Sequence, residues 1–219
     1  MAKKNVVFGT PCQIFALRKY LSGKKEEDNF ILVDFFCRGV PSIFLWKAYK
    51  SFVQRKFSIG DFKSVNFKDK FLGWHKFSMQ ILDTEGNRYS ETVYDDLFWS
   101  FYLKNTCLNE ACYDCPFRHN SVYSDIRVGD FWGEKYYHHD EGVSIVVICS
   151  ERGKKAWKKV RGYFSEEKCY PQDILHSQRF NKFPKHEKYD KIIESLCKGE
   201  NLEDIYLKFC LDKQGFYKG

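Results

Sequence analysis

The run Phe30-Ile31-Leu32-Val33-Asp34-Phe35-Phe36 is almost unbroken in apolar character. A strand that is hydrophobic on both faces must be covered on both, which is the situation of a strand inside a parallel sheet. A shorter apolar run, Val6-Val7-Phe8, precedes it. Between the two, Gly9-Thr10-Pro11-Cys12 reads as a strand-to-helix turn, with Thr10 as N-cap and Pro11 at the first helical position. Ile14, Leu17 and Leu21 then recur on one face of a helix over residues 12–21. Strand, helix and strand in this order make a parallel unit with a right-handed crossover. Cys12 and Cys37 thus fall at the carboxyl ends of neighbouring strands, the edge at which open α/β sheets bind ligands.

Further along, Gly39 or Ser42 opens a helix carrying Phe44, Leu45, Ala48, Tyr49, Phe52 and Val53. Residues 65–70 alternate, and residues 77–82 and 89–94 flank a five-residue loop as a β-hairpin. A helix with Asp95 as N-cap runs to about Lys104 and delivers the chain to a cysteine-rich loop. Residues 126–128 read as a short strand ending in the turn Gly129-Asp130-Phe131-Trp132-Gly133, and residues 143–149 as a buried strand. A helix over 155–164 is expected to turn Ala156, Trp157, Val160 and Phe164 inward. Pro171 opens another helix, Phe183-Pro184 breaks it, and amphipathic helices over 188–197 and 202–211 follow on either side of Gly199. The expected class is α/β in the mixed α+β sense: a parallel β-α-β start, a β-hairpin insertion, a cysteine-rich loop and a helical C-terminus. Residues 1–165 are expected to form the ligand-binding domain, with a helical extension over 166–219 packed on it.

Nine cysteines occur without a secretory signal, and no apolar run approaches the ~20 residues of a membrane span. That combination favours a reducing, cytoplasmic setting and metal or redox use of the thiols. The net charge of +7 suits anionic cofactors or substrates. Its interspersed pattern argues against nucleic acid, since Lys154-Lys155 and Lys158-Lys159 read as the solvated face of a helix. No Walker loop, G-x-G-x-x-G motif or nucleophile triad is present.

The chemistry is concentrated in cysteine. Cys107, Cys112 and Cys115 lie close in sequence, and Cys12 and Cys37 are expected at the sheet edge. Four thiolates from these five can hold a four-iron four-sulfur (4Fe-4S) cluster, for which a C-x-x-C pair plus distant cysteines is a usual supply. Zinc is the rival, with Cys107, Cys112, Cys115 and His119 making a Cys3His site. Cys12 would sit at a helix N-terminus, where the dipole favours negative charge. Cys149, Cys169, Cys197 and Cys210 read as structural, the last two on apolar helix faces. Asp130, set between Gly129 and Phe131, is a candidate binding acid or a turn-stabilising one. His138 and His139 are adjacent, and adjacent positions rarely face one site.

Three stretches taken together resemble a known family. They are Gly9-Thr10-Pro11-Cys12-Gln13-Ile14 with Ala16-Leu17-Arg18; residues 33–42 around Cys37; and Cys112-Tyr113-Asp114-Cys115 with Ser124-Asp125-Ile126-Arg127-Val128-Gly129-Asp130-Phe131-Trp132-Gly133. The family is that of the coenzyme F420 hydrogenase/dehydrogenase beta subunit, in its C-terminal domain. The nearest branch is the bacterial one associated with polysaccharide biosynthesis. A weaker likeness extends over residues 179–189. The resemblance implies an iron-sulfur flavoprotein oxidoreductase carrying a 4Fe-4S cluster and FAD. Its partners would be an electron-donor protein or ferredoxin-like domain and a small-molecule or glycan-precursor substrate. It implies Cys12, Cys37, Cys112 and Cys115 as cluster ligands, with Cys107 as an additional cysteine that could replace one of them. It places Gly9, Thr10, Gln13, Gly129, Asp130 and Gly133 near flavin or cluster. Members carry a further segment ahead of the Gly-Thr-Pro-Cys turn, so an N-terminally truncated form is expected here. The competing expectation is a non-catalytic accessory module with a structural zinc site.

Overall fold

The computed structural model describes residues 5–118, 122–178 and 181–211. His119, and residues 179 and 180 of the stretch 179–189 mentioned above, lie outside them. The chain divides into two compact units, each built from two segments: residues 1–38 with 115–182, and residues 39–114 with 183–219.

The first unit is organised on a four-stranded sheet. Strands β1 (Asn5–Phe8), β2 (Phe30–Phe35), β3 (Ile126–Asp130) and β4 (Ser144–Ile148) lie in that order. The β1–β2 and β2–β3 pairs are parallel, and β4 is antiparallel to β3. Helix α1 (Pro11–Lys24) covers one face, packing Ile14 and Leu21 on Leu32. On the other face Ile31, Val33 and Ile126 meet Ala156 of a second helix, α2 (Glu151–Val160). The apolar run of β2 is therefore covered on both sides, as its sequence demanded.

Two buried carboxylates tie this unit together. Asp34 of β2 stands opposite Arg127 of β3 in the strand register. It accepts both Arg127 Nε at 2.8 Å and Nη2 at 2.6 Å, and also the Ser124 hydroxyl at 2.8 Å. Asp125, fully buried, accepts the Leu32 amide at 2.9 Å and the Ser150 hydroxyl at 2.6 Å. Arg18 of α1 and Arg152 of α2 lie against it at 3.2 and 3.3 Å. Burial alone would raise the Asp125 pKa, but the Leu32 amide, the Ser150 hydroxyl and the two arginines hold it below the usual carboxylate range. Helix α2 approaches so closely that a Cβ on Gly153 would stand 2.0 Å from the Asp125 carbonyl oxygen.

The second unit pairs an antiparallel sheet with helices. Strands β5 (Phe62–Asp69), β6 (Ser78–Asp83) and β7 (Arg88–Thr92) form a meander, the last two being the expected hairpin. Helix α3 (Ile43–Phe57) starts at Ser42, whose hydroxyl accepts the Phe44 amide. Helices α4 (Leu97–Leu103), α5 (Tyr189–Lys198) and α6 (Leu202–Phe209) join it, with Gly199 in the left-handed conformation after α5. Much of the aromatic excess is spent here. Trp46, Tyr49, Phe62, Phe67 and Phe98 make ring contacts of 5.3–6.2 Å. The buried carboxyl of this unit is Asp96, which accepts the hydroxyls of Tyr49 and Tyr89.

Several expectations are corrected. The N-cap of α4 is Asp96, not Asp95: the buried Asp96 accepts the Trp99 amide, whereas Asp95 accepts the Thr92 hydroxyl. Gly129 and Asp130 belong to β3, because β4 pairs with both, so the turn is confined to Phe131-Trp132-Gly133. Only Ile145 of β4 is buried, since the strand lies at the sheet edge. Helix α2 begins at Glu151 and ends at Val160, leaving Val160 and Phe164 exposed. Cys197 is exposed rather than on an apolar face, while Cys210 is buried.

Candidate metal centre

In the first unit the carboxyl ends of β1, β2 and β3 share one edge, because the three strands run parallel. The first carries Gly9-Thr10 into α1. Thr10 caps that helix reciprocally: its hydroxyl accepts the Gln13 amide, and Gln13 Oε1 accepts the Thr10 amide at 2.9 Å. Cys12 is exposed in the first turn, its Sγ 3.1 Å from Thr10 Oγ1. The second strand runs into Phe36 and the half-buried Cys37. The Phe36 amide continues the ladder to the Val128 carbonyl, and its ring lies over Gly129, where a Cβ would meet it at 2.6 Å.

Cys115 belongs to the same unit and is half-buried. Its loop is fastened at two points. Phe117 packs on Phe15 of α1 at 5.0 Å, and Tyr123 meets the same ring at 4.6 Å. Arg118, buried, donates through Nη2 to the Arg38 carbonyl at 2.9 Å, and its amide donates to the Cys115 carbonyl at 3.4 Å. Cys12, Cys37 and Cys115 are thus carried by three segments that α1, β2 and this loop fix to one another. Among the described residues, no three Cys, His, Asp or Glu side chains are grouped closely enough to hold a metal ion.

Cys112 and Cys107 belong to the second unit. There residues 39–41 pair with 107–109: the Ser42 amide donates to the Cys107 carbonyl and the Asn109 amide to the Val40 carbonyl, both at 2.8 Å. Gly39, at φ +128°, lies where a Cβ would meet Leu108 at 3.0 Å and Cys112 at 3.3 Å. This pairing aims the Val40 amide at the Cys112 sulfur, 3.4 Å away. Tyr113 anchors the turn, its hydroxyl donating to the Asn105 carbonyl at 2.7 Å and accepting the Leu108 amide at 3.0 Å. Cys107 differs in kind. It is 1% exposed, contacts the Thr106 hydroxyl, and burial pushes its thiol up to about 12.

The family model for the C terminus of the coenzyme F420 hydrogenase/dehydrogenase beta subunit matches residues 2–171. The chain belongs to this family. A comparison with curated proteins gives no match. The family points to an iron-sulfur, oxidoreductase-related role. No helix among the described residues is long and apolar enough to cross a membrane.

The donor chemistry in this family member fits a cluster. Cys12, Cys37, Cys112 and Cys115 take part in no disulfide and are at least partly exposed, and two of them already have a hydrogen-bonding group at sulfur. The flavin candidates are less available. Thr10 and Gln13 are occupied in capping α1, and the space beside Gly129 is filled by Phe36. Asp130 gives its carbonyl to Gln178 Nε2. Gly133, at φ +119° with open space around it, keeps its candidacy. His138 and His139 are exposed.

The sequence reading did not single out Asp125, Arg127 or Arg118. The first two sit inside the Ser-Asp-Ile-Arg-Val-Gly-Asp stretch that carried the resemblance, and their work is to wire the sheet. The alternation Asp125, Arg127 beside a strand containing Asp34 was the available signal for a buried pair. For Arg118 the signal was a lone arginine three residues after a candidate ligand.

Proposed function

We propose that this chain is an iron-sulfur oxidoreductase in which Cys12, Cys37, Cys112 and Cys115 ligate a 4Fe-4S cluster. A bound cluster supplies one-electron transfer. FAD belongs to the same proposal as the two-electron partner that the family resemblance implies. Gly133 and the turn after β3 are its remaining candidate contacts. The electron donor would be a protein or a ferredoxin-like domain, the acceptor a small molecule or glycan precursor, and the setting cytoplasmic.

The observation that carries this reading is the contrast among the five cysteines. Four are residues that solvent reaches, and the Val40 amide is directed at the sulfur of one of them, a donor that favours the anionic ligand form. The fifth, Cys107, is sealed in surroundings that disfavour its thiolate, which counts against it as a cluster ligand and against a Cys107-based zinc site equally. The residues act on the ligands in distinct ways. Thr10 Oγ1 lies in hydrogen-bonding range of the Cys12 sulfur at the amino end of α1, the Val40 amide donates to the Cys112 sulfur, and the Phe36–Gly129 contact seats the segment before Cys37.

Anaerobic reconstitution with iron and sulfide, followed by EPR and by iron and acid-labile sulfide assay, tests this. The expected result is about four irons and four sulfides per chain. Alanine at Cys12, Cys37, Cys112 or Cys115 should lower that uptake sharply, and alanine at Cys107 should not. Uptake of zinc without sulfide, or iron uptake indifferent to all five substitutions, would overturn it in favour of an accessory module. Flavin released on denaturation decides the FAD half separately.

A further inference from the structure

We infer that Arg118 is a positioning residue for Cys37 and Cys115, and that its buried guanidinium raises the reduction potential of the cluster they bind. The inference rests on the proposed ligand role of these two cysteines. The geometry is specific. Arg118 is 7% exposed and lies three residues after Cys115, whose carbonyl accepts its amide at 3.4 Å. Its Nη2 donates at 2.9 Å to the carbonyl of Arg38, the residue that follows Cys37. One side chain therefore joins the backbone bearing Cys115 to the backbone bearing Cys37. Phe117, next to it, holds the same loop on Phe15 of α1, the helix whose first turn carries Cys12.

Charge adds a second effect to this strut. A guanidinium keeps its proton at any pH the protein survives. Placed out of water, it is little screened by salt and acts through a lower dielectric than a surface lysine does. A cluster held by four thiolates is anionic, and gaining an electron makes it more so. A fixed cation on the Cys115 loop, bonded to the carbonyl of the residue after Cys37, stabilises the reduced form more than the oxidised one, so reduction becomes easier. An arginine that served only to join two loops would leave the potential alone.

Arg118→Gln keeps a hydrogen-bond donor and removes the charge, whereas Arg118→Lys keeps the charge on a single-point donor. Both are to be compared with the wild-type chain after reconstitution, by EPR-monitored redox titration alongside iron and sulfide content. The expected result is a midpoint potential that moves to more negative values in Arg118→Gln and stays nearer the wild type in Arg118→Lys. In metal-free protein, iodoacetamide labelling followed by peptide mass mapping reads the strut directly. Cys37 and Cys115 should be alkylated several-fold faster in either variant, with the exposed Cys197 as internal reference. Should Arg118→Gln not fold, Arg118→Lys carries both measurements, with faster labelling at an unshifted potential expected. Wild-type labelling rates in the variants would overturn the positioning role, and a wild-type potential in Arg118→Gln would overturn the charge role. Wild-type chain that takes up no iron and sulfide defeats the ligand proposal itself; the labelling measurement still stands or falls independently.

Discussion

In the parallel-sheet unit Asp34 and Asp125 are buried against arginines, whereas in the hairpin unit Asp96 is buried against the hydroxyls of Tyr49 and Tyr89. Both arrangements satisfy the carboxyl oxygens, but they do so with opposite electrical consequences. Paired with cations, the Asp125 carboxylate is kept charged, and its protonation would take from Arg18 its buried counter-ion and leave Arg152 only Glu27 and Asp28. Among neutral donors, burial outweighs the tyrosine and backbone hydrogen bonds and raises the Asp96 pKa. The charged wiring lies in the unit whose strand ends carry Cys12 and Cys37. Ion pairs in forked geometry fix register and orientation more tightly than apolar packing does, and these two bonds set the register of β2 on β3. The neutral arrangement lies at a helix cap inside an aromatic core, where packing already defines the geometry.

The contrast breaks most visibly on removal of one partner. Arg127→Met leaves Asp34 buried without its cation and is expected to cost about 3–5 kcal/mol in urea unfolding. Replacing both, as Asp34→Val with Arg127→Met, should recover much of that loss. Tyr49→Phe in the other unit removes one of the two hydroxyl donors and leaves Tyr89 and the Trp99 amide on Asp96, so it should cost less, about 1–3 kcal/mol. Equal losses from Arg127→Met and Tyr49→Phe would mean that the two units do not differ in how they bury charge.

A smaller effect probes how closely α2 is held. Gly153→Ala would drive a Cβ into the Asp125 carbonyl oxygen, a backbone atom that cannot step aside. The expected loss is about 1–3 kcal/mol, with the Asp125 contacts to Ser150 and Arg152 disturbed. Gly162→Ala is the control, since nothing lies within 4 Å of its Cβ position. It should stay within about 0.5 kcal/mol of the wild type. A tolerated Gly153→Ala would show that Asp125 does not depend on the approach of this helix.

These effects mark where the sequence was readable. Local signals read well: the cap at Thr10 with Pro11, a helix start at Gly39 or Ser42, the hairpin around residues 83–87, and the break between two helices at Gly199 were all visible in short stretches. The apolar run of β2 announced its parallel setting because burial on both faces leaves no alternation. Pairings over long separations were not readable. Gly129 and Asp130 look like a turn until β4 supplies partners for them, and Asp34 looks like a flaw in an apolar strand until Arg127, 93 residues later, stands opposite. Val160 and Phe164 fit an inward helical face by spacing, but the helix ends at Val160. For the candidate centre, the cysteines were legible by spacing and resemblance. Sorting Cys107 from the other four needed burial, and finding Arg118 needed the fold, since its bond to the Arg38 carbonyl spans 80 residues.

The smallest effect is also the most direct reading of the contrast, because it has opposite signs in the two units. A carboxyl with a folded pKa below its unfolded value, about 3.9 for Asp, contributes stability that is complete above that value and is lost as pH falls through the folded pKa. Asp125 is of this kind. A carboxyl with a raised folded pKa contributes most below the unfolded value and loses its contribution as pH rises through the folded pKa. Asp96 is of this kind. Urea midpoints for wild type, Asp125→Asn and Asp96→Asn, taken from roughly pH 3 to pH 8, separate the two. The advantage of wild type over Asp125→Asn should shrink toward the acid end. Its advantage over Asp96→Asn should shrink as pH rises above about 4, where the unfolded chain ionises and the folded carboxyl resists. Differences that run in the same direction for both variants would mean that Asp96 is held charged like Asp125, and that its two tyrosines act as an anion site rather than as partners of a neutral acid.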